Sequence, residues 1–415
     1  AAAWHWLEEG ESAWLLYYTP KTAYNEAEKA KAEKPAAVEE MAAEALRRLF
    51  LKPGADRYRG FVEELIKSGK LALMLEKEAE SSYVFRLYRV EEGGGLKELG
   101  IKLRIAKVGE VAGTTYVLEL DARWREFFKQ ELEVMEKAAE ELKERWLVED
   151  LFSYMVGWVD SDVSIGRKGD ARALQMSTSY LWQLAETYAL FGWSDITVLG
   201  VNLTLEGPKP QFYAYTSLDK LDEAIRRSAG GGWLKTLGIK AESWDGLKRL
   251  VAERWSEVID AVKKRLEGVE AGSGFDLDKA LRELEGLKSR LGDDKIAREV
   301  VAPALLLMQA ERLGVNETTL KYFAAVISGA IGGDGYVSAA MRVVGLASGE
   351  RGVALLWAAV SAAYGIKAEV KRVGNAFHVI VFSDDAVKLA GLYSLHGPPC
   401  LRGTKDLLTI RWLKP

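Results

Sequence analysis

The sequence is poor in the residues that make covalent or metal cross-links: it has a single cysteine, Cys400, and three histidines, His5, His378 and His396. None stands at metal-ligand spacing from another, which excludes a disulfide partner and a structural zinc site and fits a reducing compartment, so a cytoplasmic location is expected. No apolar run reaches the ~18 residues of a membrane span, and the opening AAAWHWLEEGE carries acidic residues where a signal peptide needs basic ones. The chain opens without Met, as expected if an upstream portion is missing. An excess of positive charge is absent too. Lys and Arg number 57 against 61 Asp and Glu, a net charge of -4, so no global basic field draws the chain to nucleic acid.

Against these absences stand 48% hydrophobic and 28% charged residues, a globular balance. With 415 residues, more than one core is the default. Lys/Glu-rich helices, 13 Trp and few Asn fit a protein from a hot environment.

Residues 12–19 read as a strand and Ala37 to Leu51 as an amphipathic helix stopped by Lys-Pro-Gly. A short helix, Phe61 to Ser68, precedes strand candidates at Leu71–Leu75, Tyr83–Val90, Ile101–Ala106 and Tyr116–Leu120, with a hairpin loop at Gly93, Gly94 and Gly95. A charged helix from Arg123 to about Trp146 completes an N-terminal α+β module, residues 1–147. Residues 148–230 then read α-β-β-α-β-β-α. Residues 231–318 read as a charged helical linker with a small packing surface of its own and a flexible stretch, GVEAGSG, at 268–274. The α-β-β-α-β-β-α order returns in 319–396.

The two copies agree in detail. FGW at 191–193 and YGI at 364–366 each end the middle helix, and both last helices begin with an acidic residue after Ser217 or Ser383. Their opening helices align MVGWVDSDV (155–163) over ISGAIGGDG (327–335), which sets Gly157 over Gly329 and Asp162 over Asp334. Small residues let two helix backbones approach closely. Two carboxylates brought together at the helix ends then call for a divalent cation, with Mg²⁺ the expected occupant. Asp160 has no counterpart and reads as a solvated or capping carboxylate. GAIGGDG is no phosphate loop, since the helix precedes it and it lacks the closing Gly-Lys-Ser/Thr.

These nonapeptides resemble degenerate LAGLIDADG motifs, and the units resemble the two halves of single-chain LAGLIDADG homing endonucleases. The resemblance implies an α+β, pseudo-twofold pair of αββαββα units whose motif helices form the interface and whose sheets form a saddle over double-stranded DNA. It also implies that Asp162 and Asp334 are catalytic and bind the metal that activates water. The first copy lacks the glycine after its aspartates, and the second has Gly332 where an aspartate is usual. Basic groups expected to meet phosphate are Arg167, Lys168 and Arg172 in the first unit, and Arg342, Lys367, Lys371 and Arg372 in the second. Neither unit is strongly basic: 151–230 nets -2 and 319–396 nets +2 by formal charge.

Over its whole length the chain also resembles the archaeal PaRep family, type two b, through segments such as GWLKTLGIKAESWDGLKRLVAERW and DDKIAREVVAPALLLMQAERLGVN. In that comparison the tail, 397–415, is expected to be frameshifted or truncated. The readings that follow are a monomeric DNA-binding protein with residual metal-dependent cleavage, a non-catalytic binding or regulatory module, or a mobile-element relic on the same fold.

Overall fold

Alternating apolar positions in Tyr83–Leu87 and Leu99–Leu103 dictate strands with one buried face, and the computed structural model places Tyr83, Phe85, Leu87, Leu99, Ile101 and Leu103 in a core. It describes residues 5–9, 12–18, 65, 67–79, 82–107, 114–144, 150–204, 207–338 and 340–396. The helix expected at 37–51, most of that at 61–68, and the tail with Cys400 lie outside these. The chain divides into two compact units, residues 1–134 with 197–213 and residues 135–196 with 214–415. Among the described residues no helix is long and apolar enough to cross a membrane.

In the first unit, strands β1 (His5–Glu9), β2 (Ser12–Tyr18), β3 (Leu71–Ala79), β4 (Ser82–Val90), β5 (Leu96–Lys107) and β6 (Thr114–Leu120) form one antiparallel sheet in the order β1-β2-β6-β5-β4-β3. Gly93 and Gly94, at φ 99° and 83°, make the β4–β5 turn, a conformation that L side chains rarely adopt. Helix α1 (Ala122–Glu144) follows. β1 was not expected from the sequence.

The second unit contains the second repeat and the first repeat apart from residues 197–213. The first runs α2 (Leu151–Asp160), β7 (Ser164–Lys168), β8 (Ala171–Thr178), α3 (Leu181–Phe191), β9 (Asp195–Thr204), β10 (Gly207–Ser217) and α4 (Asp219–Gly231), with the middle of the β9–β10 hairpin grouped in the other unit. The short helices α5 (Trp233–Thr236), α6 (Trp244–Glu253) and α7 (Trp255–Lys263) lead to β11 (Val269–Ala271), α8 (Leu277–Gly286) and α9 (Asp294–Leu313). The second repeat is α10 (Glu317–Gly332), β12 (Gly335–Ser338), β13 (Val343–Ser348), α11 (Arg351–Ala363), β14 (Ala368–Val373), β15 (Ala376–Phe382) and α12 (Ser383–His396).

The two sheets share a strand order, β7-β8-β10-β9 in one and β12-β13-β15-β14 in the other, and β11 extends the second as a parallel neighbour of β14. Each middle helix ends where Gly192 or Gly365 takes positive φ, 58° and 69°, so the matching FGW and YGI triplets mark equivalent helix stops.

Residues 231–318 are not a spacer. Val269–Ala271, within the stretch expected to be flexible, pairs with Ala368–Val370, and the Gly272 N–H donates to Val370 O at 2.9 Å. Residues 300–310 of α9 are all buried, so this helix is core for both repeats and packs on α2, α10 and α11. An amphipathic, charged sequence hid this, because its apolar face is wide only over VVAPALLLM.

Helices α2 and α10 are apolar nearly all round and buried, α2 from Phe152 to Asp160. They touch backbone to backbone. A Cβ on Gly157 would overlap the Val326 carbonyl and lie 3.2 Å from Gly329 Cα, and one on Gly329 would lie 2.7 Å from Trp158 N. Alanine in an open helix position gains about 0.5–1 kcal/mol over glycine. Here the sign reverses, since main chain cannot yield. Gly157→Ala and Gly329→Ala are expected to lower stability by about 1–3 kcal/mol, whereas Gly230→Ala in α4, where nothing lies within 4 Å, leaves it level or raises it; thermal unfolding of the three variants measures this.

Candidate functional site at the paired helix ends

Capping fixes where each motif helix starts. Asp150 accepts from Phe152 N at 3.0 Å and also from Ser228 Oγ at 2.7 Å, which ties the start of α2 to α4. Asn316 and Thr319 form a reciprocal capping box on α10, with bonds of 3.1 and 2.8 Å. From those anchors the helices meet at the glycine pair and end side by side. Ser161 Oγ donates across the pair to Gly329 O at 3.2 Å, and a Cβ on Gly333 would lie 2.9 Å from Asp162 N. The residues carrying the two motif aspartates are thereby brought together.

Gly332 has its own cause. A Cβ there would lie 2.9 Å from Trp158 Cζ2, so the indole of the first motif occupies the space next to the position where the second motif lacks its aspartate.

Asp162 and Asp334 have different surroundings. Gln183, buried on α3, donates from Nε2 to Asp162 Oδ2 at 3.1 Å and to Gly332 O at 3.0 Å, bridging the ends of both helices. Asp334 lies at the exposed margin of a small cavity of about 20 Å³, room for about one water-sized species, lined also by Asp160, Glu299, Ser348 and Trp357. Asp162 is not among the lining residues.

Asp160 was expected to be solvated, and this is corrected. It is 8% exposed and its Oδ1 has no hydrogen-bond partner. Its helix is apolar on every side, so the carboxylate is carried into the interior. Burial, with the like charges of Glu299 and Asp334, holds its pKa well above the usual carboxylate range, while Arg298 and a hydrogen bond with Trp357 act the other way. Burial also raises Glu299, opposed by Arg298 and reinforced by Asp334 and Glu350. Glu299 was missed altogether. Its signal was an acid next to the apolar run that starts at Val300, four residues before Pro303, whose missing N–H would otherwise have bonded the Glu299 carbonyl.

The basic candidates divide by strand alternation. Arg172 shares a face with Leu174 and Met176, towards the helices, and is no free phosphate ligand: it bonds Asp245 at 2.7 Å and both oxygens of Asp294 at 2.8 and 2.7 Å. Lys248 joins the same two aspartates at 2.9 and 2.7 Å. Arg372 lies opposite Phe377 on the helix side and donates to Gly374 O at 3.1 Å. Arg167 lies opposite Arg172 and is exposed at the strand end.

Lys168 and Lys371 point to the other, open faces. The Lys168 ammonium sits over the Tyr215 ring and 3.7 Å from Asp195, while Lys371 lies opposite His378 and 4.0 Å from Glu369. Lys367 is exposed just before β14. Arg342 is exposed between β12 and β13 at φ 50°, and its carbonyl accepts from Ser383 N at 2.9 Å. His378 Nδ1 stands 3.4 Å from Tyr336 Oη, and burial lowers its pKa.

Among the described residues no three His, Cys, Asp or Glu side chains already stand as a metal cage. The donor chemistry nevertheless suits a hard divalent ion such as Mg²⁺: Asp160, Asp162, Glu299 and Asp334 offer carboxylate oxygens only, one of them buried and unpaired.

No protein-family model matches the chain, and no curated protein does. The expected PaRep relationship therefore rests on its sequence segments alone. Among solved structures, the chain is similar to the meganuclease I-SmaMI bound to uncleaved DNA target in the presence of calcium ions, at 13% identity over 64% of this chain and 89% of that one, with a TM-score of 0.30. It is similar to the same meganuclease on uncleaveable DNA with a TTCT central four at 13% identity, 63% and 88% coverage and a TM-score of 0.30. A likeness this distant says nothing of what the present chain binds.

A raised Asp160 pKa means that the folded state keeps a proton which the unfolded chain releases near the ordinary carboxylate value of about 3.9. Stability is then fully present below that pH and declines as pH rises towards the folded value. Asp160→Asn does not titrate, so it is expected to match the parent near pH 4 and to exceed it at pH 7.5 by about 1 kcal/mol or more, a Tm rise of about 2–4 °C. Melting curves across that range test the sign.

Proposed function

We propose that the chain binds double-stranded DNA through the open faces of its two sheets, as a degenerate relative of the LAGLIDADG homing endonucleases. One observation carries this reading: two units of the same strand order meet through Gly157 and Gly329, with the Asp162 and Asp334 positions drawn together beyond the helix ends. Lys168, Lys367, Lys371, Arg167 and Arg342 are exposed or on the open faces and would meet phosphate; Arg172, held by Asp245 and Asp294, would not, and Arg372, though exposed, donates to Gly374 O on the helix side of its sheet.

Asp162 and Asp334 would hold Mg²⁺, which when bound supplies an activated water and charge neutralisation for phosphodiester hydrolysis. Gln183 orients the Asp162 carboxylate, and Trp158 keeps the second helix end packed against the first.

A second reading, a non-catalytic binding or regulatory module, is favoured by two features. Gln183 already occupies Asp162 Oδ2, and Glu270 and Glu369 lie side by side on the open face, where they would repel phosphate.

Salt-dependent gel shifts test DNA binding. Each phosphate contact contributes a slope of about 0.9 in log K against log salt, so replacing Lys168, Lys367 and Lys371 by Ala flattens the slope by about that amount per lysine. Arg172→Ala leaves the slope unchanged while lowering Tm. For cleavage, randomised duplex DNA is incubated with Mg²⁺ or Mn²⁺, with Asp162→Asn and Asp334→Asn alongside. Loss of metal-dependent cutting in both variants supports a nuclease; identical, metal-independent behaviour of all three proteins leaves the binding module.

A further inference from the structure

We propose that a cavity in the first unit binds a nucleotide whose base is unpaired, with the base against Trp124 and Phe127 and the phosphate among Arg89, Lys97 and Arg123. The inference goes beyond duplex binding, which was assigned above to other residues in the sheets of the repeats.

The cavity measures about 420 Å³ and is lined by residues of β4, β5 and α1, a size within the range of small-ligand sites, ~300–1,000 Å³. Its aromatic wall is held in place. Trp124 Nε1 donates to Leu99 O at 2.9 Å, which fixes the indole. Gly207, at φ 132°, makes room for the ring, since a Cβ there would lie 2.5 Å from Trp124 Cζ2. Phe127 stands edge-on to the indole, centroids 5.9 Å apart at 86°, and is 44% exposed, while the neighbouring Phe128 is buried. An anchored indole beside an open phenyl ring is a stacking platform for any base, because every base has a π-face.

The charges point the same way. Arg89 and Lys97 are cross-strand partners in the β4–β5 register, and like charges placed directly opposite repel unless an anion relieves them. Arg123 adds a third cation, its guanidinium 5.6 Å from the Trp124 ring centroid. Gly100, at φ 70°, gives it that position, since a Cβ there would lie 2.8 Å from Arg123 Cζ. Glu91 stands 2.9 Å from Arg89 and Asp121 3.5 Å from Arg123, and Glu98 pairs with Arg86. Among the described residues no carboxylate pairs with Lys97.

Cations alone would take any anion, and the rings alone any flat apolar group. Together they fit a planar base that carries a phosphate. Bases of a duplex are stacked and paired, so only a free nucleotide or an unpaired strand can bring its base to such a platform.

The full chain is titrated into ethenoadenosine monophosphate, and separately into a short single-stranded oligothymidylate carrying one ethenoadenine, with base emission read on excitation beyond the indole band. Expected is saturable quenching, competed by unlabelled nucleotide and at least tenfold weaker for the nucleoside without phosphate. Phe127→Ala, at an exposed position, should lose affinity about tenfold or more. Lys97→Ala should weaken binding and flatten the slope of log K against log salt for the oligonucleotide by about 0.7, whereas Lys129→Ala, exposed on the same helix outside the cavity, changes neither. Thermal unfolding of each variant confirms that it is folded. Equal affinity for the two probes assigns the site to a free nucleotide, and at least tenfold tighter binding of the oligonucleotide assigns it to an unpaired strand. The proposal is overturned if neither probe is quenched, if the nucleoside binds as well as its phosphate, or if folded Phe127→Ala and Lys97→Ala bind like the parent. Duplex gel shifts report separately on the sheets of the repeats, so either reading can fail alone.

Discussion

Everything else in the second unit depends on the close contact of α2 and α10 at Gly157 and Gly329. Hydrogen on both Cα atoms, in place of a methyl, lets main chain lie on main chain. That approach sets the helix ends together, lets Ser161 and Gln183 bond across them, and carries Asp160 inside. A larger side chain at either glycine would part the helices and undo the hydrogen bonds and the shared cavity at once.

The price of the arrangement is electrostatic. An apolar helix ending in Asp160 must bury that carboxylate, and α9 brings Glu299 against it. Buried like charges are tolerated in proteins where protonation, hydrogen bonding or a counter-ion relieves them. Arg298 and Trp357 relieve part of the strain, and the remainder marks this corner as the chemically distinctive place in the unit. The neighbouring Arg172–Asp245–Lys248–Asp294 network is a contrast, because there positive and negative groups alternate and each carboxylate has a partner.

The repeated helix–strand order was legible in the sequence, because hydrophobic periodicity and glycine stops such as Gly192 and Gly365 are local signals. The meeting of Gly157 with Gly329 follows from aligning the two copies. What was not legible is non-local. Arg172 finds its partners 73 and 122 residues away, and no local pattern announces them. Strand β11 is three residues long, below the reach of alternation. Glu299 could be noticed only as an acid bordering the apolar run of α9. The opposite directions of Lys371 and Arg372 were available from strand alternation alone, and only the helix cover on one side tells which of them lies on the open face of the sheet.

Strand β11 ties the intervening segment into the second sheet. Its parallel pairing with β14 closes a loop of about a hundred residues, Val269 to Ala368, and such long closures are entropically slow to form. It also covers the edge of β14, which would otherwise offer unpaired amides to another chain. The second repeat, taken from its own motif helix onward, would lack this strand and expose that edge; it is a half in sequence but not a self-sufficient folding piece.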